Sequence, residues 1–253
     1  MTAPVDPVRR SGVSRRGGAI LLFVASASAL VFAALATTAA SGRTSSWDSG
    51  VFAALYSGEA THAPGGATGS SSPSVHRAVA AGNLLGSWEI LTLFVAVVAL
   101  VLVVRGRGGA AVFLVAGSAV ALLVPVLKQA FGRTSPFPEV GVYGFPSGHA
   151  MGPMAVAASC VVLLWWTSWR TLVLVVGAIA VTAIGVAAVS DGGHWPSDVL
   201  GGWLLALAWV CTIAWAHGWW CARARARPSG GATTQETGGR GPQALRPKRI
   251  PWR

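Results

Sequence analysis

The sequence predicts an all-α fold: a polytopic membrane helical bundle with six transmembrane helices. Three observations predict it. Only 11% of the 253 residues are charged, against about 25% in soluble domains. Mean hydropathy is +0.59. Uncharged apolar runs recur along the chain, each close to the roughly 20 residues that a bilayer span needs.

The first run, 17–42, follows a polar stretch carrying Arg9, Arg10, Arg15 and Arg16. It is longer than the apolar core of a signal peptide, and further spans follow, so an uncleaved first span is expected. Residues 43–78 are largely polar and rich in Gly, Ser and Pro, with a short interfacial helix expected over 51–56 after Trp47 and Asp48. His62 and His76 read as solvated loop residues. The second span has its apolar core at 88–104, with Trp88 and Glu89 at the interface. Further spans are expected at 109–127, 150–169, 171–189 and 198–215, separated by a polar loop at 128–148, a tight turn at Arg170 and a short loop at 190–197. The chain thus divides into a basic N-terminus (1–16), a six-span membrane domain (17–217, core 45–217) and a basic tail without apolar periodicity (218–253).

The net charge of +11 does not argue for nucleic acid as a partner. The basic residues gather at the two ends and in short turns: Arg105, Arg107 and Arg170. That is the pattern of topology signals and of contact with acidic lipid headgroups. It places both termini in the cytoplasm and the loops 43–78, 128–148 and 190–197 outside. The bilayer itself is the expected partner, in a bacterial cell membrane; no oligomeric state is assigned. Cys160, Cys211 and Cys221 sit in or beside apolar runs without ligand spacing, so they are expected to pack rather than to pair or bind zinc.

Four features converge on the outer face. Lys128 and Arg133 are its only Lys or Arg in the later two loops, against the topological bias. Pro146-Ser147-Gly148-His149 opens a span, so free helix N–H groups, a hydroxyl and a proton-transfer group share a small space. His194 and Asp198 stand four residues apart, where a carboxylate can fix the tautomer of an imidazole and leave its other nitrogen nucleophilic. The topology lets the two histidines meet. Together these residues suit phosphoryl transfer: cations and N–H groups hold phosphate oxygens, one histidine attacks phosphorus and the other protonates the leaving oxygen. The chemistry calls for no metal and no cofactor; no carboxylate cluster of the kind a hard cation prefers is present.

These residues resemble the type 2 phosphatidic acid phosphatase superfamily, whose three motifs read K-x6-R-P, P-S-G-H and S-R-x5-H-x3-D. The second is matched in full by Pro146 to His149, and the H-x3-D half of the third by His194-Trp195-Pro196-Ser197-Asp198. The resemblance covers about residues 45–217. It implies a membrane phosphatase acting on a lipid phosphate or pyrophosphate, polyprenyl or phospholipid, at the extracytoplasmic surface. It implies His194 as nucleophile oriented by Asp198, His149 as general acid, and Lys128, Arg133, Ser147 and the Gly148 backbone as phosphate ligands. Three positions depart from the pattern. Ser135 stands where the first motif has arginine, and Ala187-Ala188 stand where the third has Ser-Arg. Charge-assisted phosphate contacts contribute roughly 1.5–3 kcal/mol each, so the site is short of two strong grips. Arg133 is expected to replace one. Asp191 would put negative charge beside His194 or turn away from it. The departures keep a second reading open: a degenerate lipid-headgroup binder, or a phosphotransferase whose acceptor is not water.

Overall fold

The computed structural model describes residues 15–56, 73–137 and 143–226. His62 and both chain ends, including most of the expected tail, lie outside them. The described chain is helical: α1 (Arg15–Ala40), α2 (Ser46–Leu55), α3 (Pro73–Gly86), α4 (Trp88–Val104), α5 (Gly108–Ser118), a 3-10 turn (Ala119–Leu123), α6 (Val124–Phe131), α7 (Gly148–Leu164), α8 (Arg170–Ser190) and α9 (Pro196–Ala226).

Four helical stretches are long and apolar enough to cross a membrane: Arg16–Ala40, Gly108–Phe131, Arg170–Ser190 and Pro196–Trp219. The pair α3 and α4 counts as a fifth, bent by 52°. The break falls at Ser87, whose hydroxyl caps α4 by accepting the Ile90 N–H at 3.5 Å. α7 is apolar but only 17 residues long. Length and composition therefore give four to five spans where six were expected.

Several expected boundaries move. The third apolar stretch runs through the 3-10 turn to Phe131, so Lys128 sits in the last helical turn and not in a loop. That helix stops at Gly132, which takes a left-handed conformation (φ 59°) favoured by glycine. The interfacial helix begins earlier than expected, at Ser46. Its Ser45 cap accepts the Asp48 N–H at 3.0 Å. His76 lies on α3 and not in a loop. The last helix continues to Ala226, past the expected domain boundary at 217.

α9 is the axis of the bundle, packed against α1 on one side and α7 on the other; α7 also packs on α8, and α8 on α3. Phe113, Val120, Met151, Ala155, Ala206, Val210 and Ala214 form one buried cluster at these contacts. Backbones approach closely where residues are small, as membrane helices require. A Cβ on Gly202 of α9 would lie 2.6 Å from the Ser147 carbonyl oxygen, so only glycine lets α9 touch the start of α7. Large apolar side chains such as Phe23, Leu30, Val97, Leu100, Leu122 and Ile179 stay exposed. On a soluble protein such a belt would aggregate; on this one it faces lipid.

Candidate active site

The starts of α7 and α9, the end of α8, and the loop after α6 come together at one end of the bundle. Hydrogen bonds tie them. The Ser147 N–H donates to the Asp198 carbonyl at 3.0 Å, and the Gly144 N–H to the Arg133 carbonyl at 2.7 Å. A single antiparallel bridge, Thr134 to Tyr143, closes the loop on itself.

His194 precedes α9 and is buried. Its Nδ1 lies 3.0 Å from the Gly144 carbonyl oxygen. A carbonyl only accepts, so Nδ1 carries a proton, and in the neutral ring Nε2 is then the nitrogen with the lone pair. Asp198 was expected to hold Nδ1 directly. Its Oδ2 instead lies 3.8 Å away and accepts the Trp195 N–H at 2.9 Å. The carboxylate therefore caps α9 from its first turn, in the manner of a capping box, and acts on His194 through space.

His149, in the first turn of α7, faces His194 with ring centroids 6.3 Å apart. The two rings line one cavity of about 340 Å³ together with Ala80, Asn83, Ala188, Asp191 and Gly193. The sequence-predicted pair of histidines is thus brought together. Ser147 caps α7 and is fully buried. Its hydroxyl has no hydrogen-bond partner among the described residues. Buried hydroxyls are nearly always paired, so this one stands out among the described residues. Gly148 is the first residue of α7, where backbone N–H groups lack intrahelical partners. Lys128 is half-buried on α6.

Arg133 does not face the cavity. It is 4% exposed and its guanidinium is spent inside the protein. Nη1 donates to Asp198 Oδ1 at 2.8 Å and to the Ser197 hydroxyl; Nη2 donates to Asp48 Oδ2 at 2.8 Å. The expected phosphate ligand is therefore a bridge between two carboxylates. Neither Lys128, Arg133 nor Ser147 lines the cavity that holds the histidines. The three substituted motif positions differ in their surroundings. Ala187 meets Gly82 of α3, where a glycine Cβ would come within 2.4 Å of the Ala187 Cβ. Ala188 lines the cavity where the motif has arginine. Ser135 turns its hydroxyl to the Phe137 carbonyl at 3.0 Å. Asp191 is buried and lines the cavity, whereas Glu89 is exposed in the first turn of α4, as an interfacial residue would be.

Asp48 was missed by sequence reasoning. It is 2% exposed, and besides Arg133 it accepts the Ser197 N–H at 2.9 Å and the Ser197 hydroxyl at 2.8 Å. Its partners stand 85 and 149 residues away in sequence, so no local spacing reveals them. The one available signal was its place three residues after the capping Ser45. Gly144 was missed as well. A Cβ there would lie 2.5 Å from Asp198 Oδ2.

Residues 109–221 match the family model of the PAP2 superfamily. An undecaprenyl-diphosphatase of Sulfolobus acidocaldarius is 27% identical over 133 residues, which are 48% of this chain and 62% of that protein. The chain thus spans somewhat less than two thirds of that relative's length. A transmembrane PAP2-type phosphatidylglycerolphosphate phosphatase from Bacillus subtilis has the same fold, with a TM-score of 0.62 at 20% identity over 76% of this chain and 94% of its own. The chain is thus a multi-pass membrane protein that is similar, over residues 109–221 and so over less than half of its length, to the PAP2 superfamily.

Proposed function

We propose that the protein is a membrane phosphatase that hydrolyses a lipid phosphate or pyrophosphate through a phosphohistidine. The observation that carries this reading is the pair of histidines lining one cavity, with His194 Nδ1 tied to a backbone carbonyl. His194 Nε2 attacks phosphorus and the P–O bond to the leaving group breaks; His149 gives that oxygen its proton. Water then attacks the phosphohistidine, losing a proton to His149, and phosphate leaves. Asp198 stabilises the imidazole as positive charge develops on it. The Ser147 hydroxyl, the N–H groups at the start of α7 and Lys128 hold phosphate oxygens. Arg133 acts from behind Asp198. His194 supplies the nucleophile, so the scheme calls for no metal.

The relatives support a lipid substrate: one is named for a polyprenyl diphosphate and the other for a phosphatidylglycerol phosphate. In the six-span arrangement α7 is the short sixth span, the site lies at the extracytoplasmic face, and both termini are cytoplasmic, as in a bacterial cell membrane. A second reading, headgroup binding or transfer to an acceptor other than water, is favoured by one observation: the cavity lining includes Asp191 and Ala188 but no Lys or Arg. Phosphate release from a panel of lipid monophosphates and pyrophosphates by purified protein separates the two. Release that disappears in His194→Ala and His149→Ala supports the phosphatase. Absence of release from every lipid favours the second reading.

A further inference from the structure

The buried network beneath His194 contains two carboxylates and one guanidinium. Arg133 divides its two terminal nitrogens between them, Nη1 to Asp198 and Nη2 to Asp48. Ser197 closes the ring: its hydroxyl accepts from Arg133 and donates to Asp48, and its N–H donates to the other Asp48 oxygen. All four side chains are buried. One negative charge is left over in the ring. Two ionisable groups outside the ring face Asp198: His194, whose Nδ1 lies 3.8 Å from Asp198 Oδ2, and Lys128 on α6, whose ammonium interacts with the Asp198 charge.

We propose that Asp48, on a helix outside the family-matched segment, is a positioning residue for the phosphoryl-transfer site. It acts through Arg133 and Ser197. By holding Nη2 it stops the guanidinium from closing on both oxygens of Asp198, the bidentate geometry that arginine favours with a carboxylate. Oδ2 then stays directed at Trp195 N–H and at His194. By accepting the Ser197 N–H it also fixes the first turn of α9, from which Asp198 projects. Electrostatically it keeps the ring at a net negative charge, so that Asp198 is not neutralised by Arg133. That charge stabilises positive charge developing on His194 as it attacks phosphorus, in a buried setting where charges are weakly screened.

The sign of the effect follows. Asp48→Asn removes one negative charge, so His194 protonates less readily. The other charged or titratable groups around His194 are His149 on α7, Asp191 at the end of α8, Asp198 and Arg133 within the ring, and Lys128 on α6; none of them is altered.

This inference rests on the phosphatase reading for its kinetic test, and a second measurement frees it from that reading. The full-length protein is labelled at histidine, and His194 is titrated by NMR in wild type and Asp48→Asn. The expected result is a lower His194 midpoint in the variant. Kinetically, on a lipid monophosphate, kcat falls by on the order of 10- to 100-fold, KM changes little, and the acid limb of kcat/KM moves to lower pH. An unchanged His194 midpoint and an unmoved acid limb would reduce Asp48 to a fold-holding residue and overturn the proposal. If Asp48→Asn does not accumulate as folded protein, Asp48→Ser carries the same test. It also removes the Asp48 charge while keeping a small polar side chain, and a His194 midpoint equal to wild type would again overturn the proposal. Wild-type protein that releases no phosphate, yet shows the shifted midpoint in the variant, would sink the phosphatase reading and leave this one standing.

Discussion

The two ends of the bundle are built on opposite principles. At one end Asp48, Arg133, Ser147, His194, Ser197 and Asp198 are buried together, and nearly all of their polar atoms are paired. At the other end, between α1, α7, α8 and α9, lies a cavity of about 820 Å³, more than twice the size of the histidine cavity. Its walls are apolar, from Ile20, Phe113, Met154, Val162 and Leu207, with Arg16 and His217 at its margin. Volume therefore does not mark the chemistry. The small cavity has two proton-transfer groups, His149 and His194, beside Asn83 and Asp191. The large one is walled mainly by apolar side chains, with His217 its one histidine. Buried charges are costly to desolvate, and removing one partner of such a pair costs roughly 3–5 kcal/mol. A chain that keeps two carboxylates and an arginine dry must gain positional accuracy or charge from them.

The comparison breaks most sharply at the histidines. His194→Ala should lower kcat by on the order of 1,000-fold or more, with His149→Ala close behind, measured as phosphate release from a lipid monophosphate. The next effect is Arg133→Met. It leaves Asp48 and Asp198 buried without their cation, and thermal unfolding in detergent should show a loss of roughly 3–5 kcal/mol. Gly144→Ala should follow. The added methyl meets Asp198 Oδ2 and pushes on the carbonyl that holds His194, so kcat should fall on the order of 100-fold with the protein still folded. Ala188→Arg should tighten vanadate binding by about tenfold, one charge-assisted contact being regained. The smallest effect belongs to the other end. Ala178→Leu, in the large cavity, should change kcat by no more than about twofold.

Much of the site was legible in the sequence because the motifs are local. Pro146 to His149 fixes the start of α7 within four residues, and His194 to Asp198 lies within one helical turn of the start of α9. The pairing of the two histidines followed from topology alone. What could not be read was direction. Arg133 sits in the right loop, but a residue number does not say whether its guanidinium points at the cavity or into the protein. It points inward because Asp48 and Asp198 are both there to receive it, and Asp48 comes from the far side of the sequence. The helix before the bend at Ser87 was hidden because His76, Arg77 and Asn83 interrupt its apolar pattern. The continuation of the 109–127 span to Phe131 was hidden because Lys128 looks like a helix end, whereas a lysine in a last turn is favourable to the helix dipole.

The central claim is that His194 is the nucleophile held ready by the polar end of the bundle. Rapid quenching of the purified protein after mixing with a lipid phosphate radiolabelled at phosphorus tests it directly. The account predicts an acid-labile, alkali-stable phosphate on the peptide containing His194, absent from His194→Ala. Turnover without any such label, or label on another residue, would contradict it.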